Sequence, residues 1–197
     1  MSTYFDGAKL NLMAVPESNQ APERLDLLRR FINTLDYPVG PDELGSPEAA
    51  SRWCKAQGLP PVSNQRELDR LRAFREALRE VLFANNGPGD PSPAWEGMRP
   101  FLGAARFGAV LDGARGLALE PAGAGAERAI AMMLAIVYDA LSAGTWGRLR
   151  ACRKSSCRFA YFDRSRNGSR AWCSMAVCGN REKAHRRRSR ERPDQPE

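Results

Sequence analysis

The sequence predicts an α+β fold, a mainly helical N-terminal region with a small β-hairpin followed by a small cysteine-stapled module. Three observations carry that expectation. Apolar residues recur at helical spacing through most of the chain up to Ala143. Two short apolar runs flank a turn signal at 112–115. Four of the five cysteines fall in a C-terminal stretch that also holds half of the basic residues.

Length and composition set the bounds. A chain of 197 residues suits one ordinary domain plus a small module and excludes a large multidomain enzyme. With 43% hydrophobic residues it can bury a core. The longest fully apolar run, Ala129 to Val137, has nine residues, and a membrane helix needs roughly 20. Met1 to Leu12 carries Asp6 and Lys9 and lacks a basic start followed by an apolar stretch, so no secretory signal is read and a cytoplasmic location is expected.

The elements follow in order. In Pro22 to Leu35, Leu25, Leu28, Ile32 and Leu35 form one apolar stripe, closed by Asp36-Tyr37-Pro38. Ser46 caps a short helix with Pro47 in its first turn, Trp53 as its anchor, and a stop at Gly58. From Asn64, with Glu67 three residues on, Leu68, Leu71, Phe74, Leu78, Val81 and Leu82 keep helical spacing until Asn85-Asn86-Gly87. A weaker helix covers Ala94 to Ala105. Arg106 to Leu111 and Gly116 to Pro121 read as a hairpin. Ala126 to Ala143 is apolar almost all round, as expected of a helix in the centre of a core. Its Met132 and Met133 read as gap-filling core.

The charge is divided unevenly. The total is +7, but residues 148–192 carry 15 Lys and Arg against 3 Asp and Glu, the pattern expected of a nucleic-acid-binding segment or of a solvated basic tail. The same segment holds Cys152, Cys157, Cys173 and Cys178 as two C-x4-C pairs, fifteen residues apart. In a reducing compartment such pairs read as one structural Zn2+ held by four thiolates with no open position. Arg148 to Ala151 is expected as a short strand feeding Cys152. Phe159 to Asp163 is expected to pair with Arg170 to Trp172 across an Asn167-Gly168 turn. Ser174 then caps a helix running through Cys178 to Arg187. Positions five apart on a helix differ by about 140°, so Cys173 belongs in the turn before that helix and Cys178 one turn inside it. A knuckle, a hairpin and a helix supplying the last ligand make a treble-clef-like zinc finger. Phe159, Tyr161, Phe162 and Trp172 read as its miniature core in preference to a stacking platform, although a single-strand RNA binder would expose some of them.

These residues resemble a known family. Cys152 and Cys157, Phe162-Asp163-Arg164-Ser165-Arg166-Asn167, Arg170-Ala171-Trp172-Cys173-Ser174-Met175 and Cys178-Gly179-Asn180-Arg181 with Lys183 look like the CGNR zinc finger. The preceding region is similar to the ABATE domain that such proteins carry: Leu35-Asp36 after Ile32-Asn33-Thr34, then Leu44-Gly45-Ser46-Pro47 leading to Trp53 and Gly58-Leu59. The resemblance implies a stress-linked transcriptional role, and family members are also described as RNA-binding. The expected division is 1–146 as an ABATE-like domain with a sensor or dimerisation role, 147–190 as the finger, and 191–197 as a disordered tail.

For nucleic acid the candidate contacts are Arg164, Arg166, Arg170, Asn180, Arg181, Lys183, Arg186, Arg187 and Arg188. Asn180 and Arg181 have an alternative role in steadying the thiolates from behind. Cys54 reads as a buried small hydrophobe, and His185 as a surface group or phosphate contact. No nucleophile with its base, paired carboxylates or phosphate loop points to an enzyme. Three classes remain: a DNA-binding transcription regulator, favoured; an RNA-binding protein; and a zinc-stapled protein-interaction module. The expected partners are nucleic acid, a small-molecule or protein signal at the N-terminal domain, and a second copy in a homodimer, with no membrane.

Overall fold

The computed structural model describes residues 19–36, 40–113 and 116–184. In chain order these form α1 (Glu23–Ile32), α2 (Pro47–Ala56), α3 (Gln65–Ala84), α4 (Ser92–Leu102), β1 (Phe107–Asp112), β2 (Gly116–Pro121), α5 (Gly125–Ser142), a 3-10 turn (Trp146–Arg148), β3 (Leu149–Ala151), β4 (Ala160–Phe162) and a π turn (Met175–Gly179).

The longest helix, α3, is the element around which the others gather. Its cap is reciprocal: Asn64 Oδ1 accepts from the Glu67 N–H at 3.0 Å, and the Glu67 carboxylate accepts from the Ser63 N–H at 2.8 Å. Leu68, Leu71, Phe74, Leu78, Val81 and Leu82 are all buried, and α3 packs against α1, α2, α4, α5 and β3. A row of rings crosses the helices, from Trp53 to Phe31 (5.7 Å between centroids), Phe31 to Phe74 (5.9 Å) and Phe74 to Phe101 (5.2 Å). Each such pair contributes about 0.5–1.5 kcal/mol beyond its buried area. Cys54 is fully buried among these helices, and burial pushes its thiol pKa up to about 11, so it behaves as a small hydrophobe.

α4 runs two to three residues ahead of its expected bounds, and two other helices, α1 and α5, depart from expectation. The first ends at Ile32 and not at Leu35, because Leu35 bridges Asp42 and the Asn33 side chain is drawn to β4. The stop expected at Tyr37-Pro38 lies outside the described residues. The apolar helix α5 is not central: it buries Ala129, Ile130, Met133, Leu134 and Val137, but Tyr138 is 71% and Leu141 48% exposed. One face lies on α1 and α3 and the other meets solvent.

The β1–β2 ribbon is antiparallel as expected, with Val110 opposite Ala118 and Leu111 opposite Leu117. The second hairpin forms in a different place. β4 pairs with β3, not with Arg170 to Trp172, in the register Leu149–Phe162, Arg150–Tyr161, Ala151–Ala160. Burial explains the choice. This register puts Leu149, Ala151, Ala160 and Phe162 into the same apolar cluster as the helices. The Asp163 carboxylate then accepts from the Ser165 N–H at 2.9 Å and the Arg170 N–H at 3.0 Å, closing residues 163–170 into a loop.

Candidate metal centre and basic surface

The first cysteine pair lies in the connection of the β3–β4 hairpin. Cys152 follows β3 directly, and its N–H donates to the Phe159 carbonyl at 3.0 Å; the Cys157 N–H donates to Lys154 at 2.9 Å, folding the knuckle. The second pair brackets the helical end. Ser174 Oγ accepts from the Val177 N–H at 3.3 Å, as a cap should, which leaves Cys173 just before the π turn and Cys178 inside it. Helical residues continue to Ala184. Gly179 sits in a tight place: a Cβ there would meet the Met175 sulfur and lie 3.1 Å from the Trp172 ring.

The four sulfurs lie within 4.8 Å of one another, with Cys157 to Cys173 at 3.6 Å and Cys173 to Cys178 at 3.7 Å. Four sulfurs at roughly 2.3 Å from a tetrahedral zinc would stand about 3.8 Å apart. The cysteines therefore fit one structural zinc ion, with Cys152 and Cys178 buried and the other two half-buried. The thiols perturb each other strongly. Contacts from Cys157 and Cys173 hold the Cys152 thiol far below its ordinary range, while Cys152 as neighbour, together with burial, pushes Cys157 and Cys173 up. Such a cluster cannot carry four negative charges unless a cation neutralises them.

Around the sulfurs is a small core of Tyr161, Cys152 and Cys178 with Trp172 against it. Arg170 encloses this core. Its Nε donates to the Trp172 carbonyl at 2.8 Å, its Nη2 to the Cys173 carbonyl and to Asn19 Oδ1, and its guanidinium lies 4.8 Å over the Tyr161 ring. Below it, Asp163 is fully buried. Burial works to raise its pKa, but hydrogen bonds from Ser165 and Arg170 and the charge of Arg150, 3.4 Å away, outweigh that and hold the carboxyl below the usual range.

The knuckle is also tied to the helices. Arg158, directly after Cys157, has a φ of 49°, a strained value for a residue with a side chain. Its fork is bidentate on Glu80 at 2.6 and 2.7 Å, its guanidinium lies 4.5 Å over Phe83, and its carbonyl accepts from Arg79. Arg79 is fully buried and also donates to the Ile32 carbonyl at 2.6 Å. Sequence reasoning assigned no role at this site to the side chains of Arg79, Glu80, Asn33, Asn86 or Asp163. Asp163 alone carried a signal, as the one acidic residue between Arg148 and Arg181.

Two family models meet on this geometry. Residues 148–191 match the CGNR zinc finger. Residues 25–144 match ABATE, described as "Putative stress-induced transcription regulator".

The chain belongs to the ABATE family.

Both families are of regulator and zinc-finger type and not enzymatic. No curated protein matches this ABATE chain. Among its described residues, no helix is long and apolar enough to cross a membrane.

The described arginines of the ABATE protein's finger fall into two sets. Arg148, Arg150, Arg158 and Arg170 are turned onto the finger's own carbonyls or onto carboxylates. Arg153, Arg164, Arg166, Arg181 and Lys183 are exposed, as is Asn180. Arg164 donates to the Gln20 carbonyl at 3.1 Å. Met175 and Val177, on the π turn, are about half exposed, at 50% and 48%. His185, Arg186, Arg187, Arg188 and the 191–197 tail lie outside the described residues.

Proposed function

We propose that this ABATE protein regulates transcription in the cytoplasm by binding duplex DNA through its zinc finger, with the helical region, 1–146, receiving a small-molecule or protein signal or mediating dimerisation. The carrying observation is that one sulfur-centred unit exposes cations from three of its parts: Arg153 on the knuckle, Arg164 and Arg166 on the loop, and Arg181 and Lys183 with Asn180 on the helical end. Four further arginines are spent internally, so the exposed set is not an indiscriminate basic coat. Arginine forks suit phosphate oxygens and guanine edges, and asparagine suits adenine. Arg186, Arg187 and Arg188 extend the same basic sequence.

The aromatic residues favour duplex over single-stranded RNA. Tyr161 is buried and Phe159 and Trp172 are half-buried in the finger, which supports a core role over a stacking platform for unpaired bases. The test is binding of labelled duplex by the full chain and by a variant with Arg166, Arg181 and Lys183 changed to Ala. Equal affinity of the two would overturn the reading. Removing the whole finger is the poorer experiment, because β3 and β4 belong to the core shared with the helices.

A further inference from the structure

Just beyond α3, at a stop that reads as mere helix termination, Asn86 is buried, with 5% of its surface exposed. Its Nδ2 donates to the Ala151 carbonyl at 2.7 Å and to the Ala171 carbonyl at 2.9 Å, and lies 3.2 Å from Tyr161 Oη. Ala151 directly precedes Cys152, and Ala171 stands two residues before Cys173. One side-chain nitrogen from the helical region thus holds a carbonyl on each arm of the sulfur cluster.

We infer that Asn86 is a positioning residue for the zinc site, through which the helical region fixes the separation of the two cysteine pairs. The inference rests on the metal centre and is independent of nucleic-acid binding. The two pairs are joined by fifteen residues, of which 163–170 form an irregular loop, so that connection alone does not set the spacing. Across the gap, the Arg153 N–H also donates to the Ala171 carbonyl at 3.1 Å, and Tyr161 Oη donates to the Arg170 carbonyl at 2.5 Å. Asn86 joins these into one network. A tetrahedral shell tolerates little displacement, so an arm released by about an ångström gives up metal affinity; groups that orient ligands from behind typically account for 10–100-fold in affinity.

Asn85 is the internal control. Its amide donates to the Leu149 carbonyl at 3.0 Å and the Trp146 carbonyl at 3.4 Å, both ahead of Cys152, with nothing on the Cys173 arm. Removing it takes away contacts between α3 and β3 without separating the two arms.

The experiment uses the full chain in wild-type, Asn86→Ala and Asn85→Ala forms. Zinc affinity is measured by competition with a chromophoric chelator, and site geometry by the thiolate charge-transfer and d–d bands after loading with cobalt. Asn86→Ala is expected to bind zinc at least tenfold more weakly, with altered d–d bands, while Asn85→Ala stays within threefold of wild type. A smaller loss in Asn86→Ala, or an equal loss in Asn85→Ala, overturns the inference. Absence of thiolate–cobalt bands in wild type overturns the metal site and the inference with it. Should Asn86→Ala fail to accumulate, Asn86→Ser, whose shorter hydroxyl cannot span both carbonyls, is read by the same criteria.

Discussion

Asn33 meets the backbone of Ala160 as a neighbouring strand would: its Nδ2 donates to the Ala160 carbonyl at 2.9 Å and its Oδ1 accepts from the Ala160 N–H at 2.8 Å. The register explains why Ala160 needs it. Cross-strand bonds from Asp163 to Arg148 and from Cys152 to Phe159 flank the β3–β4 ladder, so the polar groups of Ala160 point away from β3. Ala160 is fully buried, and without Asn33 both groups would lack a partner. Asn33→Ala is expected to destabilise the chain by about 3 kcal/mol, from two buried groups at roughly 1–3 kcal/mol each with partial relaxation. Urea unfolding followed by circular dichroism checks this; a loss below about 1 kcal/mol would show that water or a shift of β4 replaces the amide.

Metal loss should divide the finger along its packing. Leu149, Ala151, Ala160 and Phe162 lie in the cluster formed with the helices, whereas Tyr161, Trp172 and the cysteines form a separate one centred on sulfur. Cys178→Ser is therefore expected to lose zinc and to raise amide hydrogen exchange across 163–184, while α1, α3, β3 and β4 keep their protection. Uniform exchange over the whole chain would mean that the metal holds the helices as well, and retention of a full zinc equivalent would contradict the ligand set.

What the sequence disclosed and what it hid divide by range. The caps at Ser46 and Asn64, the β1–β2 ribbon and the two cysteine pairs are written in residues a few positions apart, and each forms where local chemistry places it. The pairing of β4 is decided by its burial against α1 and that of β3 against α3, which no short window contains, so the strong Asn167-Gly168 turn signal drew the strand to the wrong partner. Arginine was the other blind spot. Composition cannot separate Arg170, whose fork closes on Trp172 and Cys173, from Arg181, which faces solvent, because the difference lies in which carbonyls the fold brings within reach.

The pair Asp42–Arg75 gives a pH-dependent test. Arg75 is buried and its two Nη groups hold the Asp42 carboxylate at 2.7 and 3.0 Å, with Thr34 Oγ1 at 3.0 Å from the same guanidinium. Partial burial of Asp42 acts to raise its pKa, but the Arg75 contacts and the Leu44 N–H prevail and hold it below the ordinary 3.8. A carboxyl with a depressed folded pKa contributes stability that is fully present above its unfolded value and fades as pH falls through the folded one. Wild type should thus exceed Asp42→Asn by about 2 kcal/mol at neutral pH, given the cost of breaking a largely buried pair. The gap should close below pH 3.8. Thermal unfolding of both forms across pH measures it, and a constant gap would assign the effect to packing.

Salt dependence offers the sharpest reading of the basic surface. If the finger neutralises roughly six phosphates, the logarithm of duplex affinity should fall against the logarithm of salt concentration with a slope of about −5, because each neutralised phosphate releases counterion worth about −0.9. Arg166→Ala, Arg181→Ala and Lys183→Ala each remove an exposed cation, and each should flatten the slope by about 0.9. Arg170→Lys should act differently. Its fork serves the Trp172 and Cys173 carbonyls, so the expected effect is weaker zinc retention with the slope unchanged at saturating metal. Anisotropy titrations between 50 and 200 mM salt, at roughly the range where such slopes are measured, separate the two behaviours: a flattened slope in metal-saturated Arg170→Lys would place that guanidinium on the phosphates instead of behind the sulfurs.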